Sequence, residues 1–582
     1  MSTHILAKPL RLLNYTLVRL PIVILRALIL APLCLWSFAN WWHTARDVSH
    51  FYIDFPVWDY FATIEHYARY KAGDLTVFWT QHNEHRIVFP ELIFAADLLW
   101  FRGQIVLPLV LSFSFYFGIW LTIVYALSCD SEIAVIPRYS AALLAAILLA
   151  WTGAAHPLAS PILLQWTLSQ FAAIVALAFL AKASRNHDPR WLVYCVTCGV
   201  IASYSSANGL TVWPLLIGLA LCLRFGWRRI SIILAAATFS ICMYFIGYRQ
   251  LGPIRWQVLL SHPTYLAKFI ATYASMPFAF LRSEPEFAIH VGFVSLTALT
   301  LLFLQAWRKR MLFSPTGIIL LGYAAFLLLS GVMIAAGRMN LDDPTFEDAK
   351  AVRFLTMPLS YWAMLAAALV WILARVRVVG TALSVTIVIA LSLLLFRMSH
   401  KSAFAAFYHS VTESYATQQW AALAVENGVV DPNPDLILYP DARLVPRLLP
   451  ILRAEKLCLF AKTEQSWIGR DATSIFRVST QPPAHGGIVA SHNLKTAVTL
   501  AGWTDVKNAK IVLIDESNRI VGLGEHLPAG LPKCFETLTT PLDLQWVGFV
   551  NRSYGSQIVS PYIVAADQRS LSPIPTQFKI EP

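Results

Sequence analysis

The sequence predicts an α-helical polytopic membrane protein with a C-terminal soluble α+β domain, and three observations carry that prediction. Of 582 residues, 57% are hydrophobic and only 13% charged, whereas soluble proteins carry about a quarter of their residues as charges; mean hydropathy is +0.58. Apolar runs of about 20 residues, the length that crosses a bilayer, recur along the first two thirds of the chain. After about Met398 no such run occurs and the composition turns polar. The formal charge of +12 does not make a nucleic-acid patch, because the basic residues sit mostly in short loops between apolar runs.

In chain order, Lys8, Arg11 and Arg19 precede an apolar run from Leu20 to Trp41. Arg26 interrupts that run and no small-residue cleavage site follows it, so it reads as an uncleaved first span. Further spans are predicted near 105–127, 138–155, 165–181, 191–206, 208–223, 230–248, 286–306, 316–336, 355–374 and 378–396, about eleven in all. Arg138, the group Lys182, Arg185 and Arg190, the cluster Arg224, Arg228 and Arg229, the run Arg308–Arg310, and Arg375 with Arg377 fall on alternate connections. With the basic N-terminus they mark one cytoplasmic face. Tyr265–Leu281 is predicted to be an interfacial helix, since another span would spoil that alternation.

The other face then receives a polar loop within residues 42–104, the segment Arg249–Glu286, the loop Gly337–Phe354, and the domain 398–582 that follows the membrane region, residues 1–397. That domain opens with helical stretches, Ala403–Asn427 and Asp441–Lys456. It ends in a small antiparallel β unit, typified by IVLI and RIVG around a polar Asp-Glu-Ser-Asn turn. Gly502, Gly522, Gly524 and Gly548 are expected in its turns, and Trp503 and Trp546 in its core rather than against a sugar. Six of the eight cysteines lie in or beside apolar runs, where they pack as small hydrophobes; Cys195 and Cys198, although spaced CxxC, belong there. Cys458 and Cys534 share the outside domain and are a candidate disulfide.

The chemistry concentrates in Asp54–Phe89, DFPVWDYFATIEHYARYKAGDLTVFWTQHNEHRIVF. Ionisable residues beside apolar helices are costly and mark functional sites. Asp59, between Trp58 and Tyr60, begins an expected helix and is either its N-cap or a general base whose pKa desolvation would raise. Asp54 lies five positions earlier, so no regular element presents both carboxylates on one face. In HNEHR, a helix would align His82, His85 and Arg86 on one side, a set suited to a phosphate, with Glu84 orienting Arg86 or a hydroxyl. The pattern is not HExxH and no metal site is expected; a divalent cation bridging carboxylate and phosphate is the form one would take. Arg338 and Arg353, ending one predicted span and starting the next, are basic residues on the face that should be poor in them.

The first span, WDYF, QHNEHRIVFPELI, SYSSANGLTVWP and RFLTMPLSYW together resemble bacterial membrane proteins related to the GT-C glycosyltransferases, over about residues 15–400. The resemblance implies transfer of a sugar, with inversion, from a polyprenyl-phosphate donor to an envelope glycan or glycolipid on the non-cytoplasmic face of a bacterial inner membrane. The N-terminus is then cytoplasmic and the C-terminal domain periplasmic and accessory. It also implies an acidic base in the first outside loop, here Asp59 or Asp54, and basic side chains on the donor phosphate, here Arg86, Arg338 and Arg353 with His82 and His85. The loop lacks the DD, DE or ED pair of that pattern; Asp59 is preferred for its more rigid setting. No GxGxxG or Walker pattern suits a nucleotide donor. The rival readings are a lipid or glycan transporter, which would place charges within several spans and often show repeats, and a non-catalytic scaffold that binds envelope glycans.

Overall fold

The computed structural model describes residues 7–186, 188–250, 260–281, 284–375, 377–441, 443–478, 483–532, 535 and 541–580, with only the backbone of α1 before Leu28. The Arg26 side chain and Cys534 are outside that description, and with Cys534 the proposed disulfide; Cys458 is a buried free thiol.

The protein is mostly helical with a β-rich C-terminal domain. Among the described residues six helices are long and apolar enough to cross a membrane, or up to eight if each of two bent pairs forms one span. The membrane region comprises α1 (Ala7–His50), α2 (Phe61–Lys71), α3 (Val88–Trp100), α4 (Val106–Ser128), α5 (Val135–Leu149), α6 (Ala155–Ala159), α7 (Leu164–Arg185), α8 (Pro189–Ser203), α9 (Val212–Cys222) and α10 (Trp227–Phe245). It continues with α11 (Pro263–Ser275), α12 (Pro285–Arg308), α13 (Pro315–Arg338), α14 (Thr356–Leu373) and α15 (Arg377–Ser399). Helices α7, α13 and α14 are buried over most of their surface and form the centre of the bundle. Their backbones satisfy themselves internally, and their few polar side chains meet one another: Gln170 donates to Thr356 and accepts from Ser360 at 3.2 Å and from Tyr323 at 3.4 Å. At 13 residues, α11 is too short to cross a bilayer at about 1.5 Å per residue. It packs so closely on α12 that a Cβ on Gly292 would lie 2.0 Å from the Ala271 carbonyl oxygen.

The connections sort by end. At one end Arg375 pairs with Asp130 and Glu132, Arg229 donates to the Ala183 carbonyl and Lys182 lies over the Trp191 ring. At the other, Gln81 exchanges two hydrogen bonds with the backbone of Arg249, while Tyr265 donates to the carbonyls of Asn340 and Asp343. The polar loop, the segment after α10 and the loop after α13 therefore converge.

The C-terminal domain rests on this second end. Its helices are α16 (Ser402–Glu426), bent 58° from α15, α17 (Pro432–Leu438) and α18 (Leu444–Ala454). Among the described residues its sheet has nine strands rather than the small β unit expected, and all but one of the neighbouring pairs are antiparallel. The expected hairpin is present as Ile511–Asp515 paired with Ile520–Glu525; the Asp515 carboxylate closes its turn by accepting from the N–H groups of Ser517 and Arg519. The four glycines lie inside strands and not in turns. A Cβ on Gly522 would meet the Phe549 carbonyl oxygen at 1.7 Å, and one on Gly502 the buried Trp546 ring at 2.5 Å. These residues permit close approach of neighbouring backbone and side chains. One apolar core joins α2 to this domain: Phe61, Ile64 and Tyr67 pack with Trp420, Leu448 and Phe549.

Candidate functional site

The segment QHNEHR forms a two-stranded hairpin, β1 (Gln81–His82) and β2 (His85–Arg86), and not the helix its spacing suggested. Asn83, in the left-handed region at φ +49°, supplies the turn conformation that Asn tolerates. Pairing is Gln81 with Arg86 and His82 with His85, and paired residues share a face. The arginine is thereby separated from the two imidazoles.

Arg86 is 2% exposed. Its guanidinium donates to the carbonyl oxygens of Tyr244 (2.5 Å), Trp79 and Ile246, and lies over the Trp79 ring. Each of its three nitrogens thus donates to a backbone carbonyl, away from both cavities that Arg338 and Arg353 line, and the Glu84 side chain makes no hydrogen bond to it. Arg86 instead fastens the hairpin to the end of α10, where Tyr244 also donates to the Glu84 carbonyl at 3.1 Å.

Asp59 lies in a single 3₁₀ turn, Trp58–Tyr60, and caps nothing; α2 begins after Tyr60 without a side-chain cap. Its carboxylate, half exposed, accepts from Asn83 Nδ2 at 3.2 Å and lies 3.8 Å from His82 Nε2. That second distance makes an electrostatic contact and not a hydrogen bond, leaving the buried His82 Nε2 without a hydrogen-bond partner among the described residues. The His82 imidazole, against the pull of partial burial and aided by Asn83 and the charge of Arg353, holds the Asp59 carboxyl below its ordinary value. This reverses the expected rise. The preceding Trp58 sits at φ +53° with its ring exposed, a costly conformation for a bulky residue.

His85 accepts from the Ala207 N–H at Nδ1, 3.2 Å away, which assigns its proton to Nε2. Burial lowers its pKa to about 4, with His82 and Arg338 adding to the effect and Glu84 and Asp59 opposing it. The ring is thus a neutral donor at pH 7. It lines a cavity of about 200 Å³ with Glu84, Asn208, Tyr248 and Arg338. Arg338, exposed at the end of α13, has no hydrogen-bond or ionic partner among the described residues.

Arg353 lines a second cavity, of about 370 Å³, together with Trp58. Asp348 pairs with it at 4.0 Å, and its Nε is buried without a hydrogen-bond partner among the described residues. Burial and then the like charge of Arg338 lower its pKa from the ordinary arginine value, against Asp348, Asp59 and Glu84. Two guanidinium groups close enough to repel, and poorly neutralised, suit an anion with several oxygens. Among the described residues no group of three or more His, Cys, Asp or Glu is placed to hold a metal ion.

No protein-family model, curated protein or solved structure matches the chain.

Asp54 is engaged elsewhere in the structure. Lys462 of the C-terminal domain pairs with it at 2.7 Å. Against the effect of burial, Asp54, Glu525 and Glu426 keep that lysine charged and above its ordinary pKa. Asp54 docks the domain, and Asp59 stays beside the cavities. Sequence reasoning missed Asn83, the Asp59 partner, and Tyr244 with Tyr248 on the Glu84 carbonyl. An Asn between two short β-prone stretches was a usable hairpin signal; nothing local announced the tyrosines.

Proposed function

We propose that the protein is a membrane glycosyltransferase of the GT-C type, with about eleven spans. It moves a sugar from a polyprenyl phosphate to an envelope glycan or glycolipid on the non-cytoplasmic face. What supports this reading most is Asp59: an ionised carboxylate with one uncommitted oxygen, next in the chain to Trp58 and within electrostatic reach of Arg353 and His85, which line two cavities. In the proposed reaction Asp59 takes the proton of the acceptor hydroxyl as its oxygen bonds to the sugar C1. The C1–O bond to phosphate breaks, and its electron pair leaves on the phosphate, stabilised by Arg338, Arg353 and the His85 Nε2 proton. The polyprenyl chain lies along the apolar wall formed by Phe245, Met333 and Ile334.

The test is release of polyprenyl phosphate from a labelled polyprenyl-phosphate sugar by the detergent-solubilised full chain. Arg338→Gln should lower kcat/KM about tenfold or more, with kcat falling too, because it removes a contact that strengthens as charge develops on the leaving phosphate. Absence of release with every hexosyl and pentosyl donor tried would overturn the transferase reading in favour of transport or scaffolding.

A further inference from the structure

The cavity at Arg353 continues into a shallower recess of about 390 Å³, and both are walled by Trp58, Ser414 and Gln418. The first volume falls within the range of small-molecule sites, about 300–1,000 Å³; the continuation makes it a groove. One wall is α16, which presents Ser410, Glu413, Ser414, Thr417 and Gln418, spaced as a single helical face. The next positions face inward. Tyr415 is buried and Gln419 staples the helix in place, donating to the carbonyls of His50 and Tyr52 and accepting from the Ala529 N–H.

Gln418 has no such duty. Its only hydrogen bond among the described residues is a 3.4 Å donation to Ser414 Oγ. Facing it, Trp58 holds an exposed indole at the join of the two recesses, on a backbone conformation that favours glycine. The first cavity is also lined by Arg353 and His156, whose buried Nε and Nδ1 have no hydrogen-bond partners among the described residues. Hydroxyl and amide groups along one wall, a free aromatic face opposite and the His156 imidazole match a hydroxylated chain whose rings carry apolar faces.

We propose that this groove binds an oligosaccharide, with Trp58 as the stacking platform, Ser414 and Gln418 as specificity-determining residues, and a hydroxyl-bearing terminal unit beside His156, leaving Arg353 to the donor phosphate. On the transferase reading the bound chain is the acceptor, an extended glycan, and the C-terminal domain builds one wall of its site.

A glycan array probed with the labelled full chain in nanodiscs tests this without any turnover. Glycans of two or more units should be retained, and single sugars about tenfold less. Gln418→Leu and Ser414→Leu, which fill the groove, should lower retention about tenfold or more. His409→Leu, on an exposed position of α16 outside both recesses, should leave retention unchanged and report that the helix is intact. Failure to retain any glycan, or equal retention by the groove-filling variants, would overturn the proposal. Retention that depends on Gln418 in a protein that releases no polyprenyl phosphate would sink only the transferase reading.

Discussion

The two faces of the β1–β2 hairpin hold polar groups of similar kind in opposite conditions. On one face Gln81 and Arg86 place their donors on backbone carbonyls of Arg249, Tyr244, Trp79 and Ile246. On the other, His82 Nε2 has no hydrogen-bond partner among the described residues, and the ring contacts a half-exposed Asp59; His85 turns a neutral N–H to a cavity. Buried polar groups are ordinarily satisfied, and each exception asks for a reason. The contrast separates an arginine whose nitrogens are spent on carbonyls from a histidine nitrogen that has no such partner among the described residues, a distinction that residue type alone does not make.

Three changes break or sharpen this contrast, the largest first. Asp59→Asn should keep the fold, since the carboxylate caps no helix, and lower turnover about 100- to 10,000-fold, the range for losing a general base. Asp54→Asn should stay within about threefold, because it loosens a docking pair instead. As the base must be deprotonated and its pKa is lowered, kcat/KM should fall only as pH drops below the ordinary aspartate value, with no limb near pH 6. Turnover lost by Asp54→Asn and kept by Asp59→Asn would exchange the two roles.

Arg86→Met tests the satisfied face. It strands three carbonyls, at about 1–3 kcal/mol for each that stays dry, so the folded yield and thermal midpoint should drop and activity should fall with them. Arg86→Lys should not rescue, because one ammonium lacks the planar fork that reaches all three. A well-folded Arg86→Met with raised KM for donor would return Arg86 to the phosphate.

The smallest effect comes from a carboxylate shifted in the opposite sense to Asp59. Asp435, 3% exposed, is pushed up to about 7 by burial and by Asp431. A group protonated more readily when folded contributes fully below the unfolded pKa and loses that contribution as pH rises from about 4 to about 7. Asp435→Asn should therefore raise the unfolding temperature of the C-terminal domain at pH 8, roughly 3–10 °C, and leave it unchanged at pH 4. An equal change at both pH values would show that titration is not the cause.

The apolar helices were legible because a bilayer demands continuous apolar length. The hairpin was not, since His82, His85 and Arg86 are spaced equally well for one helical face and for a two-residue turn. Only the left-handed Asn83 separates the cases. The fate of Arg86 was illegible for another reason: its carbonyl partners at Tyr244 and Ile246 are about 160 residues away. The strand glycines misled because glycine marks close approach as readily as it marks a turn.

The docking of the C-terminal domain on the first polar loop sets an order of events in synthesis. Asp54 emerges early, but Gln419, which secures the backbone of His50 and Tyr52, and Lys462, which holds it, follow 365 and 408 residues later. At about 5–20 residues per second, roughly 400 residues of elongation take about 20–80 s. Throughout that interval the loop bearing Asp59 lacks its final support, and the groove at Trp58 lacks its α16 wall. A nascent chain stalled after α15 would therefore carry the Asp59 loop without the side chains that hold its backbone.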